Sequence, residues 1–302
     1  MRNKKPVEVL IVSGKGGTGK TSITASFAYF LEDLIVADCD VDTPNLSFLI
    51  GAEKTPFFNE PFFGERKARL IEDKCTSCGA CLNVCRFGAI SRNEKTGGPL
   101  FDPILCEGCG VCKIVCEYDA IELLDKESGR ILGTKSRFGP FVFGKLYPGE
   151  GNSGRLVTLV RNKAFEIAEK ESKEIVLIDG PPGIGCPVIS AMTGVGYVVV
   201  VTECSISGRR DLERILELIK HFKIKAGVII NKADIDNKTT ELIRETCGLF
   251  DVPVLGLVPF DPDFVDALSE GIPYLELKER KGMYTTLTSI FNNLKTSILK
   301  PS

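Results

Sequence analysis

The chain has a single histidine among its 302 residues, His221, and no motif around it supplies a serine or cysteine partner. Nucleophilic catalysis by a Ser-His or Cys-His pair is therefore not expected. The formal net charge is only −2, so no global basic field would hold the protein on nucleic acid or on anionic lipid. We expect neither nucleic-acid binding nor stable membrane association.

Long apolar runs are also missing. No stretch reaches the roughly eighteen consecutive apolar residues that a membrane-spanning helix requires. The first apolar run, Val7–Val12, is short and leads into a glycine-rich loop, so a secretory signal is not expected. We therefore expect a cytoplasmic protein.

Short apolar runs alternate with helical segments in the first and last parts of the chain. Runs of about five β-branched residues that are separated by helices indicate a parallel sheet covered on both faces. The alternation stops between residues 71 and 125, where cysteine, glycine and short loops dominate. The sequence thus predicts an α/β fold with a doubly wound, mostly parallel sheet over residues 1–70 and 126–302, and an inserted α+β module at 71–125. The predicted strands are Val7–Val12, Leu34–Ala37, Ile175–Ile178, Tyr197–Val201, Ala226–Ile230 and Val252–Leu257.

A glycine-rich loop joins the first predicted strand to the first predicted helix, Lys20–Leu31. Residues 14–21 fit the pattern G-x-x-x-x-G-K-[ST] in the strand–loop–helix context that a phosphate-binding loop requires. Backbone N–H groups of such a loop surround phosphate oxygens, and the helix N-terminus adds the positive end of its dipole. Lys20 would reach the β- and γ-phosphates, and the Thr21 hydroxyl would bind Mg²⁺. The predicted nucleotide-binding residues of the loop are Gly14, Gly16, Gly17, Thr18, Gly19, Lys20, Thr21 and Ser22.

The loop carries a second lysine, Lys15, in addition to Lys20. With both lysines it resembles the deviant Walker A motif, K-G-G-x-G-K-T, of the MinD, ParA, Mrp and nitrogenase iron protein superfamily. In that superfamily the first lysine reaches across a dimer interface to the partner's nucleotide. The resemblance implies a P-loop NTPase fold, a homodimer joined through its nucleotide face, and catalytic roles for Lys15 and Lys20.

Two later segments resemble the nucleotide-sensing switches of the same superfamily. Residues 35–46 look like switch I, in which Asp38 would lie near Mg²⁺ and Asp40 would act in catalysis by orienting the attacking water. Residues 175–183 look like a Walker B strand that runs into switch II. By this resemblance Asp179 would hold Mg²⁺ through water, and Gly183 would respond to the γ-phosphate. Carboxylates at the C-terminal ends of parallel strands face the ligand crevice, which supports these positions independently.

Two segments are expected to contact the nucleotide base. Asn231 begins the motif N-K-A-D, and in the superfamily an asparagine at this place contacts adenine. The same motif also resembles the guanine-reading motif of GTPases, so the base remains open between adenine and guanine, although Lys15 favours ATP. Pro259 and Asp261 belong to V-P-F-D, which resembles the second base-side loop of the superfamily.

Eight of the twelve cysteines lie in two copies of C-x₂-C-x₂-C-x₃-C. The doubled spacing is typical of two-cluster bacterial ferredoxins, in which the fourth cysteine of each run binds the other cluster. Two Cys₄ zinc sites are the alternative, although zinc modules usually separate two C-x₂-C pairs by a longer loop. The pattern predicts two [4Fe-4S] clusters, one on Cys75, Cys78, Cys81 and Cys116 and the other on Cys106, Cys109, Cys112 and Cys85.

Four further cysteines are scattered along the chain. Cys186 follows Asp179 by seven residues, where the nitrogenase iron protein has a ligand of a cluster shared across its dimer. No obvious second cysteine completes such a site here, so we interpret Cys186 as a small buried thiol. We expect Cys39, Cys204 and Cys247 to be packing residues.

The last predicted helix, 282–299, has an apolar face and few cations on its polar side. MinD proteins end in an amphipathic helix that binds membranes and carries such cations. The scarcity of cations here favours a helix that packs against the core of the protein.

Together the motifs predict an Mg²⁺-dependent ATPase that couples its nucleotide state to electron transfer through two clusters, towards a redox partner protein. One alternative is an iron–sulfur or metal-cofactor assembly ATPase with a cofactor-acceptor protein as partner, although the C-terminal C-x-x-C of Mrp-type carriers is missing. Another alternative is a spatial organiser of the ParA or MinD kind. That function needs a DNA-binding or membrane-binding surface, which the sequence does not reveal.

Overall fold

The computed structural model describes residues 5–277 and 281–299. The two ends of the predicted ATPase domain, residues 1 and 302, therefore lie outside the described residues. The chain divides into two compact units, which we call the sheet unit (Met1–Glu60, Ile131–Lys145 and Ser153–Ser302) and the cysteine unit (Pro61–Arg130 and Leu146–Asn152). The cysteine unit is wider than the predicted insertion at 71–125, because it includes the long strands that lead into and out of that segment.

The described residues form eleven strands and ten α-helices, with single 3₁₀ turns at Glu72–Lys74 and Tyr274–Glu276. The strands are β1 (Val7–Ser13), β2 (Leu34–Asp38), β3 (Phe58–Leu70), β4 (Ile90–Arg92), β5 (Pro99–Phe101), β6 (Ile121–Ser136), β7 (Gly139–Leu146), β8 (Ile175–Pro182), β9 (Tyr197–Glu203), β10 (Ala226–Asn231) and β11 (Val254–Val258). The helices are α1 (Lys20–Phe30), α2 (Leu46–Leu49), α3 (Ala80–Val84), α4 (Val111–Ile114), α5 (Ser153–Lys170), α6 (Cys186–Met192), α7 (Ile206–Phe222), α8 (Asn237–Leu249), α9 (Asp263–Glu270) and α10 (Lys281–Leu299).

Nine of these strands form one sheet in the order β11-β10-β9-β1-β8-β2-β7-β6-β3. The pairs β1–β8, β1–β9, β2–β8, β2–β7, β9–β10 and β10–β11 are all parallel. From β1 the chain passes through α1 to β2, which lies on the β8 side of β1 in the sheet order. From β8 it passes through α6 to β9, which lies on the opposite side of β1. The crevice beyond the C-terminal end of β1 is therefore the point where the strand order reverses, and ligands of α/β sheets bind at such points.

The predicted strands are all present, and the α/β fold with a large, mostly parallel sheet is confirmed. Strands β2, β9 and β10 are buried along nearly their whole length, as expected for strands covered on both faces. The sequence analysis missed β3, β6 and β7. β3 and β6 carry many polar, half-exposed residues, so they lack the continuous apolar run that marks the other strands.

Helix α10 packs into the core of the sheet unit. Leu287, Ile290 and Leu294 are buried in that core, and the ring of Phe291 stacks on Phe30 with 5.4 Å between centroids. This confirms the prediction that the last helix packs on the protein. No helix in the described ranges is long and apolar enough to cross a membrane.

Candidate functional site

The loop between β1 and α1 has the geometry of a phosphate cradle. Gly17 and Gly19 adopt positive φ angles of 79° and 90°, which favour glycine because it has no Cβ. Gly19 is also the N-cap of α1 and contributes no side-chain cap, so the first turn of the helix presents its N–H groups to the crevice. At Gly14 a Cβ would stand 2.3 Å from the Cβ of Asp211, so glycine here lets the loop approach α7.

Lys20 lies at the bottom of this crevice. Its side chain is buried, and its Nζ atom is 2.9 Å from Oδ1 of Asp179. Burial pulls the pKa of Lys20 down, but the negative charges of Asp179 and Asp38 outweigh that effect and hold the pKa above its ordinary value. The ammonium group is therefore charged.

Asp179 lies within the buried stretch of β8 and accepts two further hydrogen bonds. Thr21 Oγ1 donates to its Oδ2 at 2.8 Å, and Thr24 Oγ1 donates to its Oδ1 at 2.9 Å. The hydroxyl of Thr21, predicted to bind Mg²⁺, and the carboxylate predicted to hold Mg²⁺ through water are thus in direct contact. Oxygen donors of these two kinds suit Mg²⁺.

Asp38 stands beside Asp179 because β2 and β8 pair in register at these residues. The carboxylate of Asp38 is fully buried and accepts the backbone N–H groups of Asp40 at 3.0 Å and Leu46 at 3.1 Å. Burial and the neighbouring charge of Asp179 raise the pKa of Asp38 to about 8, against the opposing effect of Lys20. The two hydrogen bonds from the N–H groups of Asp40 and Leu46 anchor the segment after β2 on the carboxylate of Asp38.

A cavity of about 480 Å³ opens above these residues in the sheet unit, which is within the usual size range of small-molecule sites. Ten of the predicted site residues line it: Gly16, Gly17, Thr18, Gly19, Lys20, Thr21, Ser22, Asp40, Asn231 and Asp261. Six do not line it: Gly14, Lys15, Asp38, Asp179, Gly183 and Pro259. Asp38 and Asp179 act on its floor through the contacts above, and the N–H of Gly183 donates to the carbonyl of Ser13 at 2.8 Å.

Asn231 supports the phosphate loop. Its Nδ2 donates to the carbonyl of Thr18 at 2.8 Å, and its Oδ1 accepts the N–H of Lys232 at 2.9 Å. Lys232 also reaches the loop, because its Nζ lies 3.4 Å from the carbonyl of Gly17. The amide that was predicted to contact the base is therefore engaged in holding the loop.

Several residues of the cavity were missed by the sequence analysis. Phe260, Phe264, Val265 and Leu268 form an apolar wall at its base-side end, next to Asp261. Asn45 lines the cavity as well, and its Oδ1 is buried without a hydrogen-bond partner. A sequence signal existed only for the wall, because Phe260 belongs to V-P-F-D and the other three apolar residues follow that motif at helical spacing.

The eight cysteines of the two repeats lie in the cysteine unit. They separate into two small pockets, one lined by Cys75, Cys78, Cys81 and Cys116 and the other by Cys85, Cys106, Cys109 and Cys112. The helices α3 and α4 begin at equivalent places in the two repeats, after Gly79 and Gly110, both with φ of 79°. The two repeats therefore have the same local backbone.

Backbone N–H groups point at three of these sulfur atoms. Ala68 donates to Sγ of Cys106 at 3.4 Å, Ser77 donates to Cys75 at 3.4 Å, and Ala120 donates to Cys116 at 3.3 Å. In the described part of the chain no group of three or more His, Cys, Asp or Glu side chains is close enough to hold a single metal ion. In a four-iron cluster each of the four thiols binds a different iron, so the sulfur atoms do not converge on one point. The absence of a converging group in the described residues therefore concerns sites for a single metal ion.

The scattered cysteines divide into two kinds. Cys39, Cys204 and Cys247 are buried, as predicted for packing residues. Cys186 is exposed at the first residue of α6, so the prediction of a small buried thiol is wrong for it. It follows the Gly-Ile-Gly turn, which brings the start of α6 to the surface.

Comparison with known proteins identifies the family of this chain. The family model described as "CobQ/CobB/MinD/ParA nucleotide binding domain" matches residues 9–274. The chain belongs to this family. The predicted resemblance to MinD and ParA P-loop ATPases is thereby confirmed.

Individual relatives of this MinD/ParA-type ATPase support the same assignment. It is 37% identical over 234 residues to the uncharacterized protein MJ0578 of Methanocaldococcus jannaschii, covering 76% of this chain and 80% of the relative. It is 22% identical over 287 residues to the putative septum site-determining protein MinD of Oltmannsiellopsis viridis, covering 91% and 71%. Its fold is similar to that of the septum site-determining protein MinD complexed with Mg-ADP from Pyrococcus horikoshii OT3, with a TM-score of 0.59, 18% identity and 96% of each chain covered.

These comparisons correct the function predicted from the sequence. The relative from Oltmannsiellopsis viridis and the structure from Pyrococcus horikoshii OT3 are both named as septum site-determining proteins MinD, and neither is an electron-transfer iron–sulfur protein. The prediction that nucleotide state is coupled to electron transfer is therefore wrong, and the cofactor-assembly alternative gains no support either. The ferredoxin-like character of the cysteine unit stays a prediction.

Proposed function

We propose that this MinD/ParA-type ATPase hydrolyses Mg²⁺-ATP and that bound nucleotide controls the association of two copies of the chain. The observation that carries the proposal is the contact of Lys20 and Thr21 with Asp179 at the floor of the cavity. It supports a site in which the ammonium group of Lys20 binds phosphate, and the hydroxyl of Thr21 and the carboxylate of Asp179 bind Mg²⁺. The cytoplasmic location expected from the sequence is part of this proposal, and cell fractionation tests it.

Each residue has a definite part in the proposed reaction. Lys20 would stabilise the charge that develops on the β- and γ-phosphate oxygens, together with the N–H groups at the start of α1. Thr21 and Asp179 would hold Mg²⁺, which neutralises phosphate charge when it is bound. Asp40 lines the cavity, and burial and the charge of Asp179 raise its pKa, which favours a carboxylate that can orient and accept a proton from water.

Adenine is the base that the site favours. In GTPases of the N-K-x-D type the aspartate reads the guanine N–H groups. Here Asp234 is not part of the cavity lining, and its Oδ1 accepts the backbone N–H of Phe260 at 2.6 Å. Apolar side chains line the base-side end instead, so we propose ATP as the substrate.

Phosphate release and sedimentation together test the proposal. Wild-type protein should release phosphate from Mg²⁺-ATP faster than from Mg²⁺-GTP, and it should sediment as a dimer with a non-hydrolysable ATP analogue and as a monomer without nucleotide. Lys20→Ala should abolish both binding and hydrolysis. Lys15→Ala should still bind ATP but fail to dimerise. Equal rates with ATP and GTP, or one sedimentation coefficient under all conditions, would contradict the proposal.

We also propose that the cysteine unit binds two [4Fe-4S] clusters as resident groups. The donor set fits, because each of the two pockets is lined by four thiols that combine three cysteines of one repeat with the last cysteine of the other. The N–H groups directed at Cys75, Cys106 and Cys116 would stabilise negatively charged sulfur. When bound, the clusters would link the two repeats and hold a unit whose core consists largely of cysteine and alanine.

Metal analysis of anaerobically purified protein tests this second proposal. Two clusters require about eight iron and eight sulfide per chain. Cys116→Ser should remove about half of each, because Cys116 lies in the second repeat yet lines the first pocket. Zinc without sulfide would show that two Cys₄ zinc sites are present instead.

A further inference from the structure

The two cysteine repeats share a local backbone but differ at one equivalent residue. Ser77 and Gly108 each follow the first cysteine of their repeat by two positions, and both have left-handed φ angles, 57° and 61°. A Cβ at Gly108 would stand 2.0 Å from the carbonyl oxygen of Arg66 in β3, so glycine is required there. Ser77 carries a side chain in the same unfavourable conformation, which requires free space beside the first repeat.

Strand β3 closes one of the two cysteine pockets, the one that contains Cys106, which we call the second pocket. Cys106 is buried, and its sulfur accepts the N–H of Ala68 at 3.4 Å. Its carbonyl oxygen accepts a hydrogen bond from Nζ of Lys67 at 2.6 Å, and Oε2 of Glu65 fixes the same Nζ at 2.8 Å. Together with the close approach of Gly108, these contacts hold the second repeat against the strand.

The first pocket, which contains Cys75, borders a wide cavity instead. The cavity lies within the cysteine unit and has a volume of about 800 Å³, which is in the size range of small-molecule sites. Of the cysteines that the structure describes, Cys75 alone lines both this cavity and a cysteine pocket. It is half-buried, whereas the equivalent Cys106 is buried. The polar side chains of Ser77, Asn93 and Thr96 line the cavity as well.

We propose that small molecules reach the first cluster through this cavity, whereas β3 shields the second, so that one cluster is exchangeable and the other is retained. The inference rests on the proposed binding of two [4Fe-4S] clusters. The cavity fits small molecules with oxygen, nitrogen or sulfur donors for iron, and it is far too small for a protein. Such a molecule replaces the sulfur of Cys75 on its iron, and the released thiolate takes a proton from water.

Iron release to an excess of EDTA measures the accessibility of the two clusters in the anaerobically purified full chain. The wild type should lose iron in two phases of equal amplitude, the first at least about tenfold faster, because solvent access controls exchange at a metal site. Visible absorption should fall in the same two phases. Cys116→Ser removes a ligand of the first cluster and should lose the fast phase, whereas Cys85→Ser should lose the slow phase.

Leu124→Trp narrows the cavity without altering a cysteine. Leu124 lines the cavity and is partly exposed, so the larger ring can occupy the empty space. The fast phase should slow by about tenfold, and the slow phase should keep its rate. Ile104→Trp is the matched control, because Ile104 is exposed two residues before Cys106 and does not line the cavity. It should change neither phase.

Exchanging the two equivalent residues gives the reciprocal test. Gly108→Ser places a side chain against the carbonyl of Arg66, so it should move the loop away from β3 and speed the slow phase towards the rate of the fast phase. Ser77→Gly relieves the unfavourable backbone conformation of the first repeat and should keep the iron content and both phases.

The outcomes separate the inference from the proposed function. Purified protein without iron and sulfide removes the proposed clusters and the inference with them. Release of all iron in a single phase, or a fast phase that persists in Cys116→Ser, overturns the inference while the proposed clusters stand. An unchanged fast phase in Leu124→Trp also overturns it, provided that the melting temperature of the variant matches that of the wild type.

Discussion

Lys20 and Asp179 form a buried ion pair, with 2.9 Å between Nζ and Oδ1, at the floor of the nucleotide cavity. The pair joins the first helix of the sheet unit to β8, so it links these two elements and lies where phosphate binding is proposed. Its partners were predicted separately from sequence, one from the loop and one from the strand. The hydrogen bond from Thr21 to Asp179 likewise brings together two motifs that lie 158 positions apart in the sequence.

Lys20→Met should affect both functions of this pair. The carboxylate of Asp179 would keep its two threonine donors but lose its cation, so we expect the free energy of unfolding to fall by about 1–3 kcal/mol. ATP hydrolysis should fall at least about a hundredfold, since the cation that stabilises phosphate charge is gone. Urea unfolding and phosphate release measure the two effects. Lys173→Met, which breaks an exposed pair with Asp33, is the control and should change neither.

Asn45→Ala should weaken nucleotide binding without destabilising the protein. Asn45 is the N-cap residue of α2 but makes no capping bond, because Oδ2 of Asp38 accepts the N–H of Leu46 instead. We therefore expect the free energy of unfolding to stay within about 0.5 kcal/mol of the wild type. The unpaired Oδ1 in the cavity should be used by the bound ligand or its water, so the Kd for Mg²⁺-ATP should rise about three- to tenfold.

Asp236→Ala provides the contrast for Asn45. Asp236 does cap its helix, α8, by accepting the N–H of Lys238 at 3.0 Å. Its replacement should cost about 1 kcal/mol in urea unfolding and leave the Kd for nucleotide unchanged. A larger loss of stability from Asn45→Ala than from Asp236→Ala would contradict this interpretation of Asn45.

Leu287→Ala tests whether α10 belongs to the core. The side chain of Leu287 is fully buried, so its truncation should lower the free energy of unfolding by about 2–5 kcal/mol. Tyr284→Ala, on the same helix but half exposed, should cost clearly less. Chemical denaturation measures both variants. Equal small losses, together with binding of the wild type to anionic vesicles, would instead indicate a membrane-binding helix.

Thiol labelling should distinguish Cys186 from the buried cysteines outside the repeats. With iodoacetamide at neutral pH, Cys186 should react first because it is exposed. Burial raises the pKa of Cys247 to about 11, so little thiolate forms at neutral pH and the residue should react only after unfolding. Peptide mass spectrometry follows each site, and Cys186→Ser should remove the fast phase. Fast labelling of Cys247 in the folded protein would contradict its burial on α8.

The sequence was sufficient for the parts of the fold that repeat a simple pattern. Buried Val- and Ile-rich runs predicted β1, β2, β8, β9, β10 and β11 because strands covered on both faces need apolar residues at every position. Strands β3 and β6 were missed because half-exposed strands of mixed polarity give no such run. The cysteine spacing also predicted the crossed grouping of thiols that the two pockets show.

Site residues that are neighbours in the sequence could be predicted, whereas contacts between residues far apart in the sequence could not. Gly17, Gly19, Lys20 and Thr21 come from one loop, so their spacing alone identifies them. Glu203 meets Lys15 across 188 positions of sequence and looks like an ordinary polar residue at a strand end. The base contact of Asn231 stays a prediction from its motif, whereas the hydrogen bond of its amide to the carbonyl of Thr18 depends on the three-dimensional approach of two loops and had no sequence signal.

The bond from the Ala68 N–H to the sulfur of Cys106 has a consequence for solubility. Strand β3 is the last strand of the sheet order, and an outermost strand with unpaired N–H groups recruits strands from other chains. The loop that carries Cys106 contacts this edge near Ala68 and Arg66, where a Cβ at Gly108 would stand only 2.0 Å from the carbonyl of Arg66. Disordering of that loop would remove the acceptor of the Ala68 N–H at this edge, so we expect protein with disrupted cysteine repeats to aggregate more readily.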